Sequence, residues 1–181
     1  ESLLLPLKAF SGNRRMAFAV IIDRKRVMAL TEMMMMLGLK LRAIDIAEQA
    51  QRNLLSIGSH SERAAFLSMG EESSTILMCY EHQVCLQRRL EVGANNFINH
   101  SENDNDGLLQ TPSRMKMDAM AIEIQRSFDY FESQLNLGSV GELKIAQNGE
   151  DNHELKTVLQ ESFGARVSFF KLSDHLDCTA I

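Results

Sequence analysis

Residues 64–92 read AAFLSMGEESSTILMCYEHQVCLQRRLEV, and how this stretch folds decides the architecture of the chain. Three runs rich in apolar and β-branched residues, Ala64 to Met69, Thr75 to Tyr80 and Val84 to Val92, are separated only by Gly70 to Ser74 and by Glu81 with His82. Such connections are too short for the crossover that parallel neighbours need, so the spacing predicts three antiparallel strands in a meander.

Downstream the rhythm lengthens. Residues 94–113 are rich in Asn, Asp, Ser and Gly and include Ser101 to Gly107, which predicts a mobile surface loop. From Ser113, just after Pro112, apolar residues recur at threes and fours: Met117, Met120, Ala121, Ile124, Phe128, Phe131 and Leu135. Glu123, Arg126, Asp129 and Glu132 fall on the opposite side, giving a long amphipathic helix. Gly138 and Gly141 bracket a break; Glu142 to Ala146 reads as a strand. Gln147 to Asn152 turns into a helix with Leu155, Val158, Leu159 and Phe163 inward, and after Gly164 a strand runs from Arg166 to Phe170. The order β-β-β-α-β-α-β is that of ribonuclease-H-like folds.

Upstream, an apolar opening from Leu3 to Leu7 and a turn at Gly12 and Asn13 lead to a buried strand over Ala17 to Ile22. Asp23 is placed to cap a helix with Val27, Leu30, Met34 and Leu37 on one face, and Gly38 to end it. The unit repeats as a strand over Leu39 to Ile44 and a helix from Ile46 to Ile57. In that helix Asp45 and Glu48 suit a capping box, and Ala47, Ala50, Leu54 and Ile57 line one side. The expected class is therefore α/β, a mixed sheet with flanking helices.

Composition agrees. Of 181 residues, 45% are apolar and 24% charged, which fits one full domain or two small lobes and excludes a disordered or fibrous chain. A net charge of −5 argues against nucleic acid as a partner. No apolar run reaches the ~20 residues of a membrane-spanning helix, and no signal-peptide pattern opens the chain. Cys79, Cys85 and Cys178 form no disulfide or zinc pattern and fit a reducing cytoplasm. With Glu1 in place of an initiator methionine, an excised fragment or processed product is expected.

Two passages carry a family resemblance. Gly38-Leu39 followed by Ala43 to Asn53, and Ala121 to Gln134, resemble the passage into the second lobe and the long helix of PilM-type pilus-assembly proteins, which have the actin-like ATPase fold. The resemblance implies that 1–60 closes a first lobe and 61–181 forms the second, with the first phosphate-binding loop upstream of Glu1. It also implies a cytoplasmic protein, peripheral to the bacterial inner membrane, whose partners are platform proteins that build a type IV pilus. Because actin relatives polymerise, it admits a homo-oligomer as well.

The same resemblance directs attention to two nucleotide loops. In the first, Ser68 stands where the family pattern expects aspartate, followed by Gly70, Ser73 and Ser74. Glu71 and Glu72 would repel a triphosphate without a metal, and an ordinary hairpin turn is the plainer reading of the stretch. In the second, Asn148 and Gly149 replace a glycine pair, and helix capping by Asp151 or Asn152 is the plainer explanation. These six residues are the cofactor-binding candidates, read as degenerate. No catalytic or metal-ligating residue is assigned, and no cofactor is expected, ATP with magnesium belonging only to a switch reading of the full-length protein.

Other chemistry finds little support. A two-metal nuclease needs clustered carboxylates, whereas the matching positions hold Ser68, Glu123 and the Gln147-Asn148 pair. His60, His82, His100, His153 and His175 are dispersed and lack a nucleophile partner. Met33 to Met36 reads as core packing with one exposed neighbour, and Arg24-Lys25-Arg26 as a solvated helix start, being fewer charges than a lipid-binding cluster carries. The expected function is a nonenzymatic assembly scaffold, with a nucleotide-dependent switch as the competing reading. The loop from Asn95 to Asp106 and the hairpin at Glu81 and His82 are the expected recognition surfaces.

Overall fold

A computed structural model describes residues 2–4, 17–97 and 112–175. The meander forms as β3 (Arg63–Met69), β4 (Ser74–Tyr80) and β5 (Gln83–Leu90), antiparallel throughout. Glu81 and His82 both adopt positive φ, at 48° and 61°, which closes a two-residue hairpin whose twist matches that of its strands. After α3 (Pro112–Ser133), β6 (Glu142–Gln147) returns parallel to β3, and after α4 (His153–Ser162), β7 (Arg166–Phe169) pairs parallel with β6. The sheet order is β5-β4-β3-β6-β7.

One face of this sheet carries α3 and α4. All seven residues picked out by periodicity, six on α3 and Leu135 just past its end, are buried there, among Leu67, Met78, Leu143 and Ile145. Ser127 is also fully buried on α3, its hydroxyl satisfied by donating to the Glu123 carbonyl at 2.9 Å. Asn152 caps α4 by accepting from the Leu155 N–H at 2.9 Å, and Leu155, Val158 and Leu159 complete the layer.

The other face carries α2 (Ala47–Gly58), whose Leu55 packs with Phe66, Leu77, Cys79 and Val84. Of the residues expected to turn inward, Leu54 packs half-buried against this cluster, whereas Ala47, Ala50 and Ile57 are exposed. Apolar residues lie on two sides of this helix, and its partner sheet selects the side bearing Leu55. The expected capping box is absent too: Ile46 is the N-cap, and the Asp45 carboxylate accepts from the Ile46 N–H at 2.9 Å. Past β7, Phe170 stacks edge-on against Phe66 and face-on against His175, closing over the end of α2. Gly58 permits this approach, since a Cβ there would lie 2.7 Å from the Phe170 ring.

Among the described residues, those up to Ile46 depart most from expectation. β1 (Ser2–Leu4) and β2 (Ala17–Ala19) form a separate two-stranded antiparallel sheet. The strand expected over Ala17 to Ile22 stops at Ala19, where the pairing with Ser2 ends, and residues 20–22 lie exposed, Ile21 at 94%. Residues 39–46 form no strand, because among the described residues no strand edge pairs with them. The helix between, α1 (Arg24–Met36), begins as expected, with Asp23 accepting from the Lys25 N–H at 2.8 Å. It ends at Gly38, whose φ of +70° lets Gly38 and Leu39 donate back to Met35 and Met34. Val27, Leu30 and Met34 are its less exposed face, but no α1 residue is buried.

The segment expected as a mobile loop is ordered at its start: Ala94–Phe97 forms a 3-10 turn that buries Phe97, whose carbonyl accepts from the buried Ser113 hydroxyl at 3.3 Å. The turn at Gly12 and Asn13, the polar run from Ser101 to Gly107, His100 and Cys178 lie outside the described residues.

Candidate functional site

β3 and β6 are adjacent and parallel, with Met69 beside Gln147, so the two candidate loops leave the same end of the sheet from strands ~4.8 Å apart. In open α/β sheets this is the end where ligands bind. The structure thus brings Ser68 and Gly70 to the same sheet end as Asn148 and Gly149, although the sequence separates them by some eighty residues, while Ser74, at the start of β4, lies across β3 from β6.

The first loop is internally committed. The Gly70 N–H donates to the Ser73 carbonyl at 3.0 Å, while the carbonyls of Gly70 and Glu71 accept from Ala94 and Asn95 at 2.8 and 2.9 Å. Ser74 is buried, and its hydroxyl donates to the Val92 carbonyl at 2.6 Å. Gly93 sits against the Glu71 and Glu72 backbone so closely that a Cβ would fall 2.4 Å from the Glu71 oxygen. Ser68 is half-buried within β3, paired with Thr75 and Ala146. A phosphate entering here would find Gly70 N–H and Ser74 hydroxyl already bonded and the Glu71 and Glu72 side chains exposed beside it. These residues fit a triphosphate with magnesium poorly, since anionic ligands need free N–H or cationic groups.

The second loop is more open. Gly149 has φ +89° and nothing within 4 Å of a built Cβ, whereas Asn148 keeps a negative φ, so only the second position of the pair needs glycine. The Gln147 side chain donates to the Glu150 carbonyl within the loop. Beside it lies an open polar cavity of about 580 Å³ lined by Gln147, Gly149, Asp151, His153, Phe170 and Lys171. Lys171 pairs with Asp151 at 2.7 Å, and this hydrogen bond and the Asp151 charge raise the Lys171 pKa. Its ammonium is therefore partly neutralised as a receptor for phosphate.

Two further features were not anticipated. A cleft of about 500 Å³ lies between residues 19–22, residues 44–49 and Val84 and Gln87 of β5, lined by Val20, Ile21, Ile22 and Ile44. The sequence signal for it, the apolar run at 17–22, is the same one that reads as a buried strand. At the opposite end of the sheet, Glu142 is 3% exposed at the start of β6 and accepts from Ser59 just past α2. Lys144 and Arg166 each approach its other oxygen at 3.2 Å. Burial alone would raise the Glu142 pKa, but the Ser59 bond and the two cations outweigh it and hold the carboxyl below its ordinary range.

The remaining reactive side chains give no centre. Burial pushes the Cys79 and Cys85 thiols up to about 12, leaving neither ionised near neutral pH. Glu123 pairs with Arg126 on the exposed side of α3. Among the described residues no group of three or more His, Cys, Asp or Glu side chains could hold a metal ion, and no helix is long and apolar enough to cross a membrane.

A meander extended by two helix-connected parallel strands, with helices on both faces and loops gathered at one sheet end, defines the actin-like ATPase fold. Solved structures agree. A chain of the PilM–PilN type IV pilus biogenesis complex matches 97% of this chain and 57% of its own length, with a TM-score of 0.65 at 16% identity. The ethanolamine utilization protein EutJ from Carboxydothermus hydrogenoformans matches over 82% and 57%, with a TM-score of 0.51 at 10% identity. MreB 5 of Spiroplasma citri bound to AMPPNP matches over 88% and 63%, with a TM-score of 0.50 at 10% identity. The chain therefore spans less than two thirds of each. No protein-family model and no curated protein matches the sequence.

Proposed function

We propose that the chain belongs to a nonenzymatic assembly scaffold of a type IV pilus machine, an actin-like domain that binds inner-membrane platform proteins from the cytoplasmic side. The observation that carries the scaffold reading is the closed first loop: Gly70 and Ser74 bond within the fold, Ser68 replaces the expected aspartate, and two carboxylates stand beside them. The pilus reading is supported by the passages around Asp45 and after Ser113, and by the shared fold with a chain of the PilM–PilN complex. Within that family those passages resemble MshI, the biogenesis protein of the MSHA pilus, which makes an MSHA-type machine the specific proposal and a PilN-like platform protein the partner to test. Residues 1–60 then close the first lobe and 61–181 form the second, with Leu55 of α2 anchoring one to the other.

Calorimetric titration of ATP and GTP with magnesium into the full-length protein tests this. No heat of binding is expected, together with retained pulldown of the pilus platform proteins. Tight nucleotide binding that is abolished by Ser68→Val or Gly149→Val would overturn the scaffold reading.

The competing reading is a nucleotide-dependent switch. It is favoured by the placement of both loops at the ligand-binding end of adjacent parallel strands and by the open space around Gly149. It requires nucleotide-induced closure, which the same titration followed by small-angle scattering measures.

A further inference from the structure

We infer that Asn148 is a site of spontaneous deamidation, at which the backbone nitrogen of Gly149 displaces the side-chain amide and water opens the resulting ring to aspartate or isoaspartate. Asn148 is the only asparagine in the sequence that glycine follows. The pair lies just past the last ladder partners of β3 and β6, Met69 and Gln147, so the sheet holds neither residue. Asn148, Gly149 and Glu150 are all exposed. Among the described residues nothing bonds to the Gly149 N–H or to the Asn148 side chain. The Gln147 side chain fastens the Glu150 carbonyl instead, which leaves the two residues between them as a free tip. Gly149 has φ +89° and no atom within 4 Å of a built Cβ, so its backbone has room to swing the nitrogen toward the Asn148 side chain.

The chemistry needs only water and the thermal lability of the asparagine amide. The Gly149 nitrogen loses its proton to solvent base and bonds to the side-chain carbonyl carbon of Asn148. The bond from that carbon to the amide nitrogen breaks, and ammonia leaves with a proton from solvent. Water then cleaves one of the two carbon–nitrogen bonds of the ring. Cleavage at the side-chain carbon gives aspartate, whereas cleavage at the backbone carbonyl gives isoaspartate, which routes the chain through the side chain and lengthens it by a methylene. Other asparagines lack the conditions for this step. Asn152 caps α4 and is followed by His153, the first residue of that helix. Asn96 accepts from the Gly93 N–H at 2.8 Å and precedes the buried Phe97. Asn136 is exposed with a positive φ of 53°, but buried Leu137 follows it and donates its N–H to the Phe131 carbonyl at 3.5 Å. At Asn148 the product sets a new carboxylate beside Glu150 and Asp151, where it repels an anionic ligand at the second loop. The reaction requires neither partner nor nucleotide, so the inference stands apart from both functional readings.

Ageing the full-length protein at neutral and at mildly alkaline pH, followed by tryptic digestion and mass spectrometry, tests the inference. Asn148 and Asn152 share the peptide from Ile145 to Lys156, so fragmentation compares the two sites within one molecule. Asn148 is expected to gain the mass difference between an amide and an acid progressively, and faster at the higher pH because the deprotonated nitrogen is the nucleophile. Asn152 should stay intact. The rate in the native protein should be close to that of the urea-unfolded chain. Gly149→Ala puts a side chain next to the attacking nitrogen and should slow conversion by about tenfold, the factor that ~1.4 kcal/mol of added barrier produces. On isoelectric focusing, fresh Asn148→Asp should comigrate with the aged wild type, and Asn148→Ser should lack the first acidic species that forms on ageing. Conversion of Asn152 as fast as Asn148, or an unchanged rate in Gly149→Ala, overturns the inference. So does a native rate far below that in urea, which would show that the fold, or a lobe lying over the loop, holds the Asn148 backbone in place.

Discussion

Replacing Glu142 by glutamine keeps the shape of the side chain and removes its charge. The carboxylate ties three parts of the fold that are distant in sequence: Ser59 at the end of α2, Lys144 on β6 and Arg166 on β7. A hydrogen bond to an ionised acceptor contributes about 1.5–3 kcal/mol. Arg166 is 75% exposed, so its ion pair adds at most about 1 kcal/mol. Lys144, only 16% exposed, would be left largely buried without its counter-charge, at about 1–3 kcal/mol. Against these stands the cost of keeping a carboxylate out of water, which glutamine relieves. The net expectation for Glu142→Gln is about 3 kcal/mol of lost stability at pH 7. With a urea slope near 2 kcal/mol per molar, the unfolding midpoint then falls by about 1.5 M. The pH dependence adds a second signature. Because the folded carboxyl titrates below its ordinary value of 4.5, the unfolded chain binds more protons as the pH drops. The stabilisation is therefore complete above the unfolded pKa and is lost as pH falls through the folded one. The gap between wild type and variant should be constant from pH 7 to pH 5 and narrow below about pH 4.3. Coincident urea midpoints at pH 7, or a gap that persists unchanged at pH 3, would refute the reasoning.

Three other substitutions follow from the same packing. Phe131→Ala removes a fully buried ring from the face of α3 against the sheet and is expected to cost about 3–5 kcal/mol, read from chemical denaturation with an unchanged slope. Gly93→Ala drives a methyl group into the Glu71 and Glu72 backbone and should destabilise by about 1–3 kcal/mol, with faster amide exchange at Ala94 and Asn95, the donors that clasp the first loop. Unaltered exchange at those two amides would show that the clasp is not what holds the loop. Asn152→Ala deletes the α4 cap and should lower stability by about 1 kcal/mol, an effect that Asn152→Ser largely restores, as thermal unfolding will show.

From residue 63 onward, the sequence by itself determined the elements and their order. Alternation and threefold-fourfold spacing are local consequences of pleat and helix geometry, and they pick out six buried residues of α3 and the three strands of the meander without reference to any partner. The loop candidates were legible as turn chemistry in the same way, through Gly70, Asn148 and Gly149. What local pattern cannot encode is which partner a face meets. α2 shows apolar residues on two sides, and only the presence of the β3-β4-β5 sheet decides that Leu55 goes inward. Residues 20–22 and 39–44 have strand-like composition, yet a strand needs another backbone to accept its hydrogen bonds, and the fold supplies none among the described residues. The bond from Ser59 to Glu142 spans 83 positions, and the juxtaposition of the two candidate loops depends on the parallel return of β6 beside β3. These are decided by tertiary structure, because burial and hydrogen-bond completion are properties of surfaces in contact and not of any one segment.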